Sequence, residues 1–127
     1  MMIDLLAAYI FIGLVTLAAA FQIALLAGMP WGELTLGGRY RGRLPGRIRV
    51  VSLISACLLI VFGFIVATSA GLVFDNMHTA ATKAIWFVVG YCALGVVANA
   101  ATRSKRERIV WLPVVSLMLL ASLRVAL

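Results

Sequence analysis

The sequence predicts an all-α integral membrane fold, a four-helix bundle built from two helical hairpins that each run out, in and out again. Three observations predict it. Of the 127 residues, 65% are apolar and 12% charged, whereas soluble domains run at about 45–50% apolar and about 25% charged. Four stretches reach the roughly 20 apolar residues that a helix needs to cross a hydrocarbon core about 30 Å thick. Nine of the eleven basic residues fall in two of the three connecting segments. A chain this short buries only about two-thirds of its surface on folding. A soluble globule could not hide so much apolar side chain, and the mean hydropathy of +1.14 points the same way. A soluble enzyme, a disordered tail and a disulfide scaffold are thereby excluded. The length fits one domain, residues 1–127.

The first span runs from about residue 5 to 28 without a charge. Asp4 precedes it, and the run is far longer than the roughly 7–15 apolar residues of a secretory signal. A retained helix is therefore expected. The second span covers about 50–72, again without a charge, and the third about 84–101. The fourth covers about 109–127 and is broken only by Arg124, which either snorkels to water or pairs with Asp4. None alternates with the period of two that a lipid-facing barrel strand needs. Helices satisfy their own backbone in lipid, so four helices is the economical solution. Pro113 is expected in the first turn of the fourth helix, where a missing N–H costs little.

Charge placement sets the orientation. Arg39, Arg41, Arg43, Arg47 and Arg49 follow the first span, and Arg103, Lys105, Arg106 and Arg108 follow the third. The segment between the second and third spans holds only Lys83, offset by Asp75. Basic loops stay on the cytoplasmic side. The expectation is a multi-pass protein of a bacterial inner (cytoplasmic) membrane with both termini outside. The basic residues are expected to meet anionic lipid headgroups or an acidic partner. Nucleic acid is not an expected partner, because the arginines are spaced by glycines and lack an aromatic stacking platform.

Helix contacts in lipid follow small residues. Thr16, Ala20, Ala24 and Gly28 recur every four residues, as do Gly63, Ala67 and Gly71. Both stripes are expected to face other helices, within the chain or in a second copy, so a homo-oligomer is expected. Trp31 and Trp111 suit one interface and Trp86 the other. Cys57 and Cys92 lie at similar depth, so contact between them is open, with a disulfide or metal pair disfavoured. Val50-Val51-Ser52-Leu53 and Val114-Val115-Ser116-Leu117 form a weak internal echo, as a parallel repeat would.

Polar groups inside lipid are where function concentrates. Gln22 and Asn99 lie at comparable depth and are expected to bond across the first and third helices, as glue or as the polar wall of an inward-facing pocket. Tyr91 faces that pocket or packs. The segment 28–40 combines turn residues with Trp31, Glu33, Leu34, Leu36 and Tyr40, an odd mixture for a solvated linker. A structured plug, or the floor of a cavity, is expected there, with Glu33 paired to a nearby arginine. The candidate ligand-binding set is Gln22, Trp31, Glu33, Tyr91 and Asn99. An apolar or weakly polar ligand is expected, since Asp4, Asp75, Glu33 and Glu107 all sit near the surfaces.

No catalytic residue, cofactor or metal is expected. His78 and Asp75 supply only two ligands, and His78 is expected to be solvated. Gly37-Gly38 lacks the Gly-Lys-Ser/Thr ending of a phosphate loop. Three functions follow in order of support: a small-ligand binding or permeation module built by oligomerisation, a non-transporting scaffold docked through its basic loops, and a lipid-modifying enzyme using Glu33. The run Ala27-Gly28-Met29-Pro30-Trp31-Gly32-Glu33, with Gly37-Gly38 and Leu44-Pro45, resembles the first loop of a group of small four-helix bacterial membrane proteins. Ser104-Lys105-Arg106-Glu107-Arg108, with Trp111 and Pro113, is similar to their second loop. The resemblance implies the four-helix layout and, as no activity is assigned to the group, no site residue.

Overall fold

The computed structural model describes residues Met2–Leu127, which form four long helices and no strand. These are α1 (Met2–Leu26), α2 (Gly46–Ser69), α3 (His78–Ala101) and α4 (Lys105–Ala126). Runs of Leu, Ala, Ile and Val form helix readily once lipid removes competition from water for the backbone. Each helix is long and apolar enough to cross a membrane, and only 17–33% of each apolar window is buried within the chain. The rest, including Leu94, Phe87 and Val97, faces outward. An apolar surface on all sides suits hydrocarbon and not water. The chain is thus a multi-pass membrane protein by length and composition.

Each helix packs against the one before it, and α4 closes the ring on α1. Asp4 at the start of α1 pairs with Arg124 near the end of α4 at 3.0 Å, so these ends meet. His78 Nδ1 lies 3.1 Å from the Thr68 carbonyl and ties the start of α3 to the end of α2. The histidine is exposed, but it opens a helix and does not sit in a loop.

Three of the four helices begin well before their apolar windows. Arginine and lysine are good helix formers, so α2 starts at Gly46, α3 at His78 and α4 at Lys105, with charged residues riding on hydrated first turns. Pro113 consequently lies inside α4 and not in its first turn. It leaves the Ile109 carbonyl without the usual donor four residues on, a loss that membrane helices tolerate. The echo is not equivalent in space, as Ser52 lies about two turns into α2 and Ser116 about three turns into α4.

The core is one-sided. Phe11, Val15, Phe62, Val66, Ile85, Val88, Met118 and Ala121 pack together in the half of the bundle remote from the arginine-rich segments. Cys92 joins this core while Cys57 is exposed, so both thiols are free and on different faces. The small-residue stripes divide. Ala67 is buried and a Cβ on Gly63 would touch Val15 at 3.2 Å, so this stripe does face α1. Thr16 and Ala20 are exposed along an apolar groove between α1 and α2, because α1 turns Phe11, Val15 and Ala19 inward.

Candidate functional site

The site is a cavity that follows from this uneven packing. In the arginine-rich half the inward positions carry small residues, Ala18, Ser55, Gly95 and Ala98, and they leave a space of about 690 Å³. Small-molecule sites span roughly 300–1,000 Å³. Leu59, Cys92 and Met118 separate it from the core. Its floor is Leu34, Thr35, Leu36 and Gly37 of the first connecting segment, with Thr102 and Glu107 beside them. The lining residues of α1 and α4 are buried or half-buried, whereas Tyr91, Leu94 and Ala98 of α3 are exposed. The mouth therefore runs sideways along α3, below the edge-on contact of Tyr91 with Phe62 of α2 at 4.9 Å.

The floor is held by short-range chemistry. Two 3-10 turns, Gly32–Leu34 and Leu36–Gly38, carry the segment under the bundle. The Gly32 N–H donates to the Gly42 carbonyl at 2.8 Å, closing the loop on itself. Arg43 Nε donates to the Gly28 carbonyl at 2.9 Å, and Arg49 Nε to the Leu44 carbonyl at 3.0 Å. Leu36 lines the cavity in a left-handed backbone conformation (φ +52), which costs a non-glycine residue about 1–2 kcal/mol. Its neighbour is clamped, for the Gly37 N–H donates to Glu107 Oε2 at 3.0 Å. Ser104 Oγ donates to the Glu33 carbonyl at 2.8 Å and accepts the Glu107 N–H at 3.2 Å. Arg106 pairs with the Glu33 carboxylate at 3.5 Å.

Two strongly basic segments thus meet at one end. Bare, they would repel each other. Glu33 and Glu107 are the acids placed between them, one exposed enough to pair with Arg106 and the other 8% exposed. Glu107 also lies in the first turn of α4, where the helix dipole favours a negative charge.

Of the five candidate ligand residues, Gln22, Tyr91 and Asn99 line the cavity. Trp31 and Glu33 do not. Trp31 stacks on Phe21 at 6.3 Å, and Phe21 in turn meets Trp111 at 4.8 Å, an aromatic chain that joins the loop to α1 and α4. The Glu33 carboxylate turns to Arg106 instead, a pairing expected from sequence though its partner comes from the other segment. The bond between Gln22 and Asn99 does not form, because α1 and α3 stand diagonally across the ring. Asn99 Nδ2 donates to the Gly95 carbonyl of its own helix at 2.7 Å, and the Gln22 carboxamide has no hydrogen-bond partner among the described residues. Both amides stay on the wall with unused polar capacity.

The basic residues stand outside the cavity. Arg39, Arg41, Arg43, Arg47, Arg103, Lys105, Arg106 and Arg108 are exposed and Arg49 is half-buried. Sequence reasoning passed over Glu107, Thr102 and Ser104 as lining or supporting groups. The spacing Ser104-Lys105-Arg106-Glu107 is the capping-box pattern, a signal that marks an ordered helix start. Ser104→Ala removes both the cap and the tie to Glu33. It is expected to cost about 1–2 kcal/mol, read as a lower unfolding midpoint in mixed micelles. Among the described residues no three His, Cys, Asp or Glu side chains are grouped to share a metal. Compared with family models, with curated proteins and with solved structures, the chain matches none.

Proposed function

We propose that this protein is a small-ligand-binding module of a bacterial inner membrane, with both termini outside, both arginine-rich segments in the cytoplasm, and the helices paired as two out-in-out hairpins. Kinship with small four-helix bacterial membrane proteins belongs to the same reading and rests on the two loop motifs. One observation carries the function: four helices of a single chain surround a cavity of about 690 Å³ whose wall is apolar except for a few amides, hydroxyls and one carboxylate. Since all four helices of one chain contribute to the lining, binding by the monomer is favoured over permeation through an oligomer. The sideways mouth lies between membrane-spanning helices, so the ligand arrives from the lipid. The exposed rim of arginines supports a second role, holding anionic headgroups at the cytoplasmic interface.

The test uses the protein in lipid nanodiscs and a twelve-carbon alcohol bearing a photoreactive diazirine. Cross-links are expected on Phe21, Gln22 and Trp111, and excess unlabelled dodecanol is expected to suppress them. Ala98→Phe plugs the mouth and is expected to cut this labelling roughly tenfold, the effect of losing about 1.4 kcal/mol of binding. Labelling confined to outward-facing Val97 and Phe87, unchanged by dodecanol, refutes the reading.

A further inference from the structure

The chain carries a formal net charge of +7, yet no lysine, arginine or histidine lines the cavity. Its one ionisable acid is Glu107, on a residue 8% exposed. That carboxylate forms no ion pair among the described residues, for Arg106 is turned to Glu33 and Arg108 to the Thr102 carbonyl. One hydrogen bond, from Gly37, uses a fraction of the roughly four acceptor sites of a carboxylate. Asn99 uses one of its two amide hydrogens on Gly95 and keeps its carbonyl oxygen as a further acceptor. Above these groups the wall is Leu59, Leu94, Val115 and Met118. The polar end of the cavity thus carries one carboxylate among the amides of Gln22 and Asn99 and the hydroxyls of Thr35 and Thr102, and the far end is apolar.

Deepening the ligand-binding reading, on which this rests, we propose that the cavity takes a single-chain cationic amphiphile, an alkylamine in chemical class, with its ammonium group at Glu107 and its chain beneath Leu59 and Met118. An anionic headgroup is rejected because it would leave water to face a carboxylate, while the guanidinium groups nearest the floor, Arg106 and Arg108, are turned to Glu33 and to the Thr102 carbonyl and do not line the cavity. A neutral alcohol of equal length fits the same space without the charge contact. The external arginines repel a free cation in the cytoplasm, which favours entry through the mouth along α3.

The experiment competes the diazirine alcohol with dodecanol, dodecylamine or dodecyl phosphate at neutral pH in neutral-lipid nanodiscs. Dodecylamine is expected to compete roughly tenfold better than dodecyl phosphate, a factor in reach of one partly desolvated charge contact. Glu107→Gln keeps an oxygen for the Gly37 N–H and is expected to abolish that preference while dodecanol competes as before. Asp75→Asn removes one negative charge at the opposite end and is expected to leave the preference intact. Equal competition by amine and phosphate, or a preference that survives Glu107→Gln, overturns the inference while the cavity reading stands. A failure of dodecanol itself to compete overturns both.

Discussion

Replacing Gly32 by alanine is expected to undo the floor of the cavity. A Cβ there would overlap the Tyr40 carbonyl oxygen outright and come to 2.7 Å of the Gly42 carbonyl oxygen. Both obstacles are backbone, so no rotamer change relieves them. The loop must open, and with it go the Gly32-to-Gly42 hydrogen bond and the seating of Leu34 to Gly37. The cost is expected at about 3 kcal/mol, the upper end for overpacking. Gly42→Ala is the comparison. Its φ is +78 but nothing lies within 4 Å of the added carbon, so only the left-handed penalty of about 1–2 kcal/mol applies. Amide hydrogen exchange over residues 32–44 in nanodiscs reads the difference. Gly32→Ala should raise exchange across the whole segment, including Gly37, and Gly42→Ala should do so much less. Equal exchange in the two variants means the close approach of the two strands of the loop does not exist.

Phe62→Ala is expected to destabilise the bundle by about 3 kcal/mol, within the usual range for a buried phenylalanine. Phe62 is 1% exposed in the core and meets Tyr91 and Phe87 edge-on. In a bilayer the lost term is packing more than transfer from water, because lipid tails are as apolar as the side chain. Phe64, two residues on, is 53% exposed. Phe64→Ala is expected to cost about 0.5 kcal/mol or less, as for surface substitutions elsewhere. Unfolding in mixed micelles of a denaturing and a mild detergent measures both. The pair separates a phenylalanine that faces helices from one that faces lipid, although their sequence surroundings are alike. Similar losses would place the core somewhere other than around Phe62.

Much of the fold was legible because lipid imposes simple rules. Length and apolarity alone mark the four helices, and their surplus of outward Leu, Val and Phe needs no tertiary knowledge. The helix starts at Gly46, His78 and Lys105 were less visible, since hydropathy reports where lipid begins and a helix does not stop there. Of the site, Gln22, Tyr91 and Asn99 stood out as polar or aromatic groups inside spans, and they do line one cavity. Trp31 and Glu33 were grouped with them because a loop rich in turn and apolar residues looks like a lid. The segment does border the cavity, but it is Leu34 to Gly37 that lines it. In sequence Glu107 looks like a surface acid, with Arg103, Lys105, Arg106 and Arg108 around it. Its carboxylate is instead held by the Gly37 N–H, seventy residues earlier in the chain.

What the sequence determined by itself is the class of molecule: an apolar, helical, membrane-crossing chain with its basic residues gathered in two segments. Those features are sums over neighbouring residues, and partition into lipid acts on such sums. Only the tertiary structure decided that the two basic segments meet, that the packed core fills one half of the bundle, and that a carboxylate closes the floor of the empty half. Each of these depends on which faces of distant helices come together. Side-chain volumes across the ring set that choice, and no window along the chain contains them.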